Sequence, residues 1–179
     1  LVLKELNDLN YSHAEKLHPF INEALKEAHI EIHELDAVAV SKGPGSYTGL
    51  RIGVSAAKGI CFAIDKPLIS IETLRSLSTS ISISEGVIVP MLDARRMEVY
   101  AAIFSADYQL LRSIQANIID TTSFSEYLER GPVYFLGDGA QKCQPILTHK
   151  NAIFVADQFP SAAQMAQLSF DKFSQKEFV

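Results

Sequence analysis

The sequence has 179 residues, of which 47% are hydrophobic and 21% are charged, and its formal net charge at pH 7 is -5. Such a chain can bury a core, which excludes a disordered protein and predicts one globular domain or two small ones. The net charge, with no run of lysine or arginine, argues against a protein that binds a nucleic-acid backbone by itself, so any RNA contact would need a basic partner. The two cysteines form no disulfide framework or CxxC pair, and without a signal peptide or long apolar run we expect a cytoplasmic protein that has no membrane segment.

The first predicted helix spans Ser12–Ala28 and follows a polar turn at Asn7–Tyr11. Ser12 and Glu15 have the spacing of a capping box, which begins a helix. Apolar residues at three- and four-residue intervals predict a face that packs on a sheet: Leu17, Ile21, Ala24, Leu25 and Ala28. Near the edge of that face lie His13 and Phe20, which either complete an ordinary core and rim or meet a partner protein.

His29 and His33 have the HxxxH spacing of a helical zinc site. They stand after the predicted helix, however, and no acid or cysteine holds a convincing third-ligand position. We therefore interpret both as surface histidines near the helix end and predict no metal site.

A glycine-rich loop, Gly43–Gly49, joins a predicted strand at Ala37–Val40 to a predicted helix that begins near Leu50 and reaches Ile64. Glycine permits positive φ or close backbone approach, and a serine or threonine caps the helix. The N-terminus of a helix favours an anion, and an arginine one residue into it adds a cation. The residues that would face a nucleotide or another anion are Gly43, Gly45, Ser46, Thr48 and Arg51.

The loop lacks each specific phosphate-binding motif. Its glycine spacing is one residue too long for GxGxxG, and Lys58 is not followed by the serine or threonine of a Walker loop. Pro44 stands where a hydrolase elbow needs glycine. The loop therefore either binds an anion through its backbone or only turns the chain.

Further along, a predicted strand at Pro67–Ile71 precedes a helix at Glu72–Ser80, with Leu74 and Leu77 facing inward. The alternation of strands and helices predicts parallel pairing with crossovers. A second block begins with the strand VIVPML from Val87, followed by a predicted hairpin. The two strands of that hairpin are Glu98–Phe104 and Tyr108–Gln115.

Asp93, with Arg95 or Arg96, follows the first strand of the second block. One interpretation is a polar cluster that faces a ligand at a strand end. The other is a turn with a surface ion pair, which residue chemistry alone favours because charged turns are common.

A second glycine loop consists of Gly137, Asp138 and Gly139, between a predicted strand at Val133–Leu136 and a predicted helix at Ala140–Leu147. The two glycine loops either hold a nucleotide from opposite sides of a cleft or are ordinary turns. The remaining predicted elements are a short helix at Thr122–Glu129, a strand at Ala152–Val155 and a last helix that Ser161 and Gln164 cap and that reaches Phe170.

Four sequence blocks, taken in order, resemble the TsaB (YeaZ) family of bacterial proteins in tRNA threonylcarbamoyladenosine synthesis. The blocks read YSHAEKLHPFI, SKGPGSYTGLRIGVSAAKG, PMLDARRMEVYAAIF and FLGDGAQKC, and they span nearly the whole chain. The resemblance implies an α/β protein with the two-lobed actin-like, Hsp70-like and sugar-kinase-like (ASKHA) fold, built from mixed sheets with flanking helices. We place the N-terminal lobe at 1–84 and the C-terminal lobe at 85–179.

The function implied by this resemblance is that of a non-catalytic subunit. Such a subunit binds and activates the TsaD-type threonylcarbamoyltransferase, together with the TsaE-type ATPase, for modification of the adenosine next to the anticodon in ANN-decoding tRNAs. The resemblance further implies a homodimer when the protein is alone and tRNA contact only through the complex. It implies no cofactor, with nucleotide binding only within the complex.

The family's pairing surface is built from two first-lobe helices, which match Ser12–Ala28 and Gly49–Ile64 here. The candidate partner-binding residues are His13, Lys16, Phe20, Leu50 and Val54. The HxxxH pair does not match the place of the metal-binding histidines of TsaD, so no metal site is carried over. The family's phosphate-facing first strand would precede Leu1 and its tail would follow the last helix, so we expect the natural protein to be longer at both ends.

Two other functions stay open at this point. The chain is alternatively an ATP-binding enzyme of the sugar-kinase class, with both glycine loops on phosphate, or a peptidase-like relative. We assign no catalytic residue, because the sequence shows no pattern typical of a serine, histidine and acid triad and no carboxylate pair to which a catalytic role can be assigned.

Overall fold

A computed structural model describes residues 2–5 and 13–179. The chain divides into two compact units, of which unit 1 comprises Leu1–Glu72 with Ser161–Val179 and unit 2 comprises Thr73–Pro160. This division differs from the predicted lobes at 1–84 and 85–179. The last helix belongs to unit 1 because it packs on a strand of that unit. Beyond the helix, the backbone N–H of Val179 donates to the carbonyl of Leu68 in the same strand at 3.0 Å.

Within the described residues, unit 1 contains three α-helices and a two-stranded parallel sheet. Its elements are α1 His13–Ala28, β1 Val38–Ser41, α2 Tyr47–Ile64, β2 Leu68–Ile71 and α5 Ala162–Ser174. Strands β1 and β2 pair in parallel with Val38 opposite Leu68, and α2 is the crossover between them. The predicted helices and strands of this unit and their parallel pairing are confirmed, whereas the predicted turn at Asn7–Tyr11 and the Ser12 cap lie outside the described residues.

Unit 2 is a five-stranded mixed sheet with short helices. Its elements are α3 Thr73–Ser78, β3 Val87–Asp93, β4 Glu98–Ser105, β5 Leu110–Ile118, α4 Ser125–Leu128, β6 Val133–Leu136 and β7 Ala152–Val155. The strand order is β5-β4-β3-β6-β7, with antiparallel pairs on the β5 side of β3 and parallel pairs on the β7 side. The predicted hairpin and the mixed α/β architecture are therefore confirmed.

The sheet of unit 2 buries apolar residues on both of its faces. Because side chains alternate along a strand, Val89 and Met91 of β3 join one apolar cluster, while Ile88 and Leu92 join the other. Phe135 of β6 is fully buried in the first cluster, where its ring lies 5.4 Å from that of Phe124 and 5.2 Å from that of Phe154. In the second cluster the predicted inward residues Leu74 and Leu77 of α3 are completely buried.

Several predicted helix bounds differ from the structure: α2 begins at Tyr47 rather than near Leu50, and α3 is Thr73–Ser78 rather than Glu72–Ser80. The predicted helix Ala140–Leu147 is only a 3-10 turn, Gln141–Cys143, because Pro145 has no N–H to continue a helix. Helix α4 begins at Ser125 rather than Thr122, since Phe124 has a φ of 63° and cannot lie inside a right-handed helix. Helix α5 continues past Phe170 to Ser174.

Candidate functional site

The first glycine loop joins β1 to α2 as predicted. Gly43 is buried with a φ of +105°, a conformation that favours glycine, and a Cβ there would lie 3.2 Å from Cδ1 of Leu50. The side chain of Leu50 thus covers the loop, in addition to its proposed place on a partner surface. Ser46 caps α2, because its hydroxyl oxygen accepts from the backbone N–H of Gly49 at 3.3 Å.

The cation beside this loop is held by an aromatic ring. The Arg51 guanidinium donates to the Tyr47 hydroxyl at 3.2 Å and lies over the Tyr47 ring, 5.3 Å from its centroid. Both residues are exposed, as are Gly45 and Thr48. The geometry leaves the loop open to an anion but directs the guanidinium along the helix, so the predicted anion-facing set stays a prediction.

Helices α1 and α2 of unit 1 contact each other and leave much apolar surface uncovered. From residue 14 onward no side chain of α1 is fully buried, and α2 buries only Ala57 and Cys61. Tyr47 is 74% exposed and Phe62 is 92% exposed. These two helices therefore carry an apolar surface that unit 1 does not cover by itself.

The predicted partner-binding residues lie on these two helices. Lys16 is exposed, whereas Phe20, Leu50 and Val54 are half-buried. The side chain of His13 is outside the described part of the structure. We call the described four residues, Lys16, Phe20, Leu50 and Val54, the α1–α2 surface.

The second glycine loop packs against the end of β3. Gly137 has a φ of +98°, and a Cβ at this position would lie 2.2 Å from the carbonyl oxygen of Met91. The N–H of Gly139 donates to that same oxygen at 3.2 Å, and a Cβ on Gly139 would lie 2.8 Å from the backbone of Leu92. The close approach of two backbone segments therefore accounts for both glycines without a ligand.

Asp93, at the end of β3, forms an ion pair with a residue that the sequence did not suggest. Its Oδ1 accepts from the ammonium of Lys142 at 2.5 Å and from the backbone N–H of Arg95 at 2.6 Å. The hydrogen bond from Lys142 lowers the pKa of the Asp93 carboxyl below its usual range, and the backbone N–H of Arg95 adds to this effect against the opposing effect of burial. Asp138 joins the cluster, because its Oδ1 accepts from the backbone N–H of Asp93 at 3.1 Å.

Lys142 organises this cluster. Its ammonium also donates to the carbonyl oxygens of Arg96 and Glu98, both at 2.7 Å, so the three bonds occupy its three N–H donors. The predicted ion pair at this turn is thus correct in kind but not in its cation, since neither Arg95 nor Arg96 pairs with Asp93 in the described structure.

A cavity of about 300 Å³ adjoins the second glycine loop, outside the carboxyl ends of β6 and β7. Ligands of open α/β sheets bind at such strand ends. The lining contains two acids, Asp138 and Asp157, but no lysine or arginine. Its chemistry suits an uncharged polar group better than a phosphate.

His29 and His33 are both exposed, as predicted. His29 stands just after α1 with a φ of 56°, and His33 lies in a short 3-10 turn. In residues 2–5 and 13–179 no three His, Cys, Asp or Glu side chains group closely enough to hold a metal ion. None of the helices described there combines the length and the apolar character that crossing a bilayer requires.

The chain is similar to proteins that are named for tRNA modification. A family model described as "TsaD: tRNA N6-adenosine threonylcarbamoyltransferase" matches residues 8–171. The "tRNA threonylcarbamoyladenosine biosynthesis protein TsaB" of Bacillus subtilis is 29% identical over 96% of this chain and 79% of its own length. The protein of the same name from Haemophilus influenzae is 27% identical over 94% of this chain and 75% of its own length.

Further similarities are a shorter sequence match and two solved structures. A "tRNA N6-adenosine threonylcarbamoyltransferase" of Staphylococcus aureus is 41% identical over 45% of this chain and 24% of its own length. A crystal structure of a Pseudomonas aeruginosa protein "with similarity to peptidase YEAZ" superimposes with a TM-score of 0.82 at 23% identity, over 93% of this chain and 79% of that one. The structure called "YeaZ from Pseudomonas aeruginosa" gives a TM-score of 0.74, also at 23% identity, over 93% and 80%. At this identity the two structures establish the fold alone.

Proposed function

The chain belongs to the TsaD family, within it to the TsaB (YeaZ) group, and we propose that it acts as a non-catalytic subunit that binds and activates a TsaD-type threonylcarbamoyltransferase. Its general role lies in tRNA threonylcarbamoyladenosine biosynthesis. The proposed assembly includes a TsaE-type ATPase, and tRNA is bound by the whole complex rather than by this chain alone. The net charge of -5 supports the last point, because an acidic protein repels an RNA backbone.

The observation that carries this proposal is the uncovered apolar surface of α1 and α2. A helix that only packs on its own sheet buries its apolar stripe, but Phe20, Leu50 and Val54 stay half-buried here. Contiguous apolar surface with a polar rim is typical of protein interfaces, and aromatic residues are enriched in their centres. A related helix pair on a TsaD-type protein, or on a second copy of this chain, is the proposed partner of the α1–α2 surface.

Assembly is tested by light scattering after gel filtration, with the chain alone and mixed with the TsaD-type protein. We expect a homodimer alone and a mixed one-to-one species in the mixture. We also expect no threonylcarbamoyladenosine from this chain alone, and a higher rate from the transferase when the chain and the TsaE-type ATPase are added. If no mixed species forms under any nucleotide condition, the proposed partnership is wrong.

The interface is tested by Phe20→Asp, which places a charge in the centre of the α1–α2 surface. We expect the mixed species to disappear, since an unpaired charge in an apolar interface is strongly unfavourable. The matched control is Phe170→Asp, the same change at a 64% exposed phenylalanine on α5, which should assemble normally. Because Phe20 is half-buried, Lys16→Glu provides a second variant on the exposed rim, where we expect weaker assembly with an intact fold. Normal assembly of Phe20→Asp would place the interface elsewhere.

The cavity beside the second glycine loop favours a second candidate function, nucleotide binding within the complex. Its acidic lining would repel the phosphates of a nucleotide, so we expect the cavity to bind the uncharged nucleoside part. Calorimetry of the complex with ADP and with adenosine tests this idea, with Gln144→Glu as the variant, because Gln144 lines the cavity and is exposed. Changing Gly139 would not be informative, since a Cβ there would clash with β3 even without a ligand.

A further inference from the structure

Two consecutive arginines stand at the tip of the β3–β4 hairpin in an unusual backbone conformation. Arg95 has a φ of 72° and Arg96 a φ of 49°. The turn is closed by two backbone hydrogen bonds of 3.1 Å, from Ala94 N–H to the Glu98 carbonyl and from Glu98 N–H to the Arg95 carbonyl. Positive φ is unfavourable for a residue with a long side chain, and glycine or asparagine is the usual choice at such positions.

The backbone of this turn is fixed from one side by the Lys142 cluster. The ammonium of Lys142 donates to the carbonyl oxygens of Arg96 and Glu98, and Asp93 accepts both from Lys142 and from the N–H of Arg95. The Lys142 side chain is only 22% exposed, so these bonds are partly shielded from water. The turn is therefore a defined structure and does not depend on its arginine side chains.

The side chains of Arg95 and Arg96 form no polar contact that would stabilise the fold among the described residues. Both are exposed, and within the described residues neither guanidinium makes a hydrogen bond or an ion pair. Arg95 acts on Asp93 through charge at longer range, but the ion-pair partner of Asp93 is Lys142. Unfavourable backbone angles, in two residues whose side chains make no hydrogen bond or ion pair among the described residues, indicate a functional requirement for those side chains.

We propose that Arg95 and Arg96 contact the phosphate backbone of the tRNA bound by the complex. The inference rests on the proposed function, which supplies RNA as the polyanion of the assembly. A guanidinium presents a planar set of donors that matches a phosphate group and stays charged at every physiological pH. Contacts to the RNA backbone read no base sequence, so the proposed contacts contribute affinity rather than choice of base.

The test replaces both arginines with residues that the backbone prefers. Arg95→Asn combined with Arg96→Gly removes two charges while relieving positive φ, so we expect a melting temperature equal to or above that of the wild type. Binding of an ANN-decoding tRNA transcript to the complete complex is measured over about 50 to 200 mM salt. We expect the slope of log K against log salt to decrease by about two, one for each lost phosphate contact, with about tenfold weaker binding or more at the low-salt end.

A matched control removes two other exposed cations from unit 2. Arg130→Asn combined with Lys150→Gln makes a comparable charge change away from the turn and should leave the salt slope unchanged. An equal slope loss in this control would reduce the effect to net charge and overturn the proposal, as would an unchanged slope in the turn variant. A lower melting temperature of the turn variant would show that the arginines serve the fold and would also overturn it.

Light scattering separates this proposal from the proposed function. The turn variant should form the mixed one-to-one species as the wild type does. If the variant does not assemble, the arginines meet carboxylates of a partner protein and the RNA assignment is wrong. If the wild-type chain itself forms no mixed species, the proposed function fails first.

Discussion

The two units bury their apolar residues to different extents. Unit 2 places a five-stranded sheet between two apolar clusters, and fully buried side chains such as Phe135, Met91 and Leu77 come from several elements. In unit 1 the described strands form one parallel pair, and the apolar cluster between that pair and α2 has only three buried members, Ala57, Cys61 and Leu68. Strand β2 of unit 1 also buries Ile69 and Ile71, each 2% exposed, but these two lie outside that cluster.

This difference separates the proposed roles of the units. Burial of a large apolar side chain contributes about 1.5–3 kcal/mol to the free energy of unfolding. Unit 2 has many such side chains, so its own core can stabilise the turn after β3 and the cavity beside the second glycine loop. Unit 1 keeps comparable side chains half-buried on α1 and α2, where a partner protein can still cover them. Most of the stabilising burial is thus in unit 2, whereas unit 1 has the apolar surface that is left uncovered.

The largest effect is expected from a buried phenylalanine of unit 2. Phe135→Ala removes a completely buried ring that packs against Phe124 and Phe154, and we expect a loss of about 4 kcal/mol in the free energy of unfolding. Urea unfolding followed by circular dichroism measures the loss. Hydrogen exchange read by mass spectrometry shows whether the slowest amides, expected in β3, β4 and β6, lose protection.

Phe62→Ala is the matched change in unit 1. This ring is 92% exposed, so we expect a change within about 0.5 kcal/mol. Similar losses for the two variants would contradict the contrast between the units.

An intermediate effect is expected from Lys142→Met, which tests whether the turn of unit 2 is held by its lysine. The variant loses the ion pair with Asp93 and the bonds to the carbonyls of Arg96 and Glu98. Because water can replace part of these bonds at the half-exposed Asp93, we expect a loss of about 1–2 kcal/mol at pH 7. Lys150→Met, at an exposed lysine, is the control and should not change stability.

The pH dependence of that loss identifies the Asp93 contribution. The folded-state pKa of Asp93 is lowered by Lys142, so the contribution is fully present above the unfolded pKa, about 3.9, and disappears as the pH falls through the lower folded value. The difference between wild type and Lys142→Met should therefore shrink in acid and leave only the part due to the two carbonyls. A difference that stays constant down to pH 2 would assign the whole effect to the carbonyls.

The elements of the fold could be predicted from the sequence because their signals are local. Strands β6 and β7 were predicted at their observed bounds, Val133–Leu136 and Ala152–Val155, from short apolar runs between turn residues. The Ser161 and Gln164 capping box was likewise confirmed. Such patterns depend on neighbours three or four residues apart, and those neighbours can be read directly.

The arrangement around the candidate sites depends on distant partners and was missed. Asp93 was considered with Arg95 and Arg96, which follow it in sequence, but its ion-pair partner Lys142 comes 49 residues later. The packing of α5 on β2 could not be predicted either, since the sequence of a helix does not indicate which strand the helix packs on. The positive φ of Arg95 and Arg96 left no sequence signal, because arginine is the opposite of the residue that such a turn prefers.

The smallest effect is expected at the start of α5, where unit 1 depends on local interactions more than on a core. The Ser161 hydroxyl accepts from the N–H of Ala163 at 3.2 Å, and the Gln164 side chain accepts from the N–H of Ser161 at 3.1 Å. Ser161→Ala should reduce the free energy of unfolding by about 1 kcal/mol, whereas Ser161→Thr, which keeps the hydroxyl that accepts from the helix and donates to Glu5, should restore most of it. No residue of α5 is fully buried, and the helix packs on β2, so faster hydrogen exchange of Ser161→Ala should be confined to α5 and β2. Faster exchange that reached β3 and β4 would mean that the two units unfold together, and the contrast between a stable unit and a partner-dependent one would then describe surface burial only.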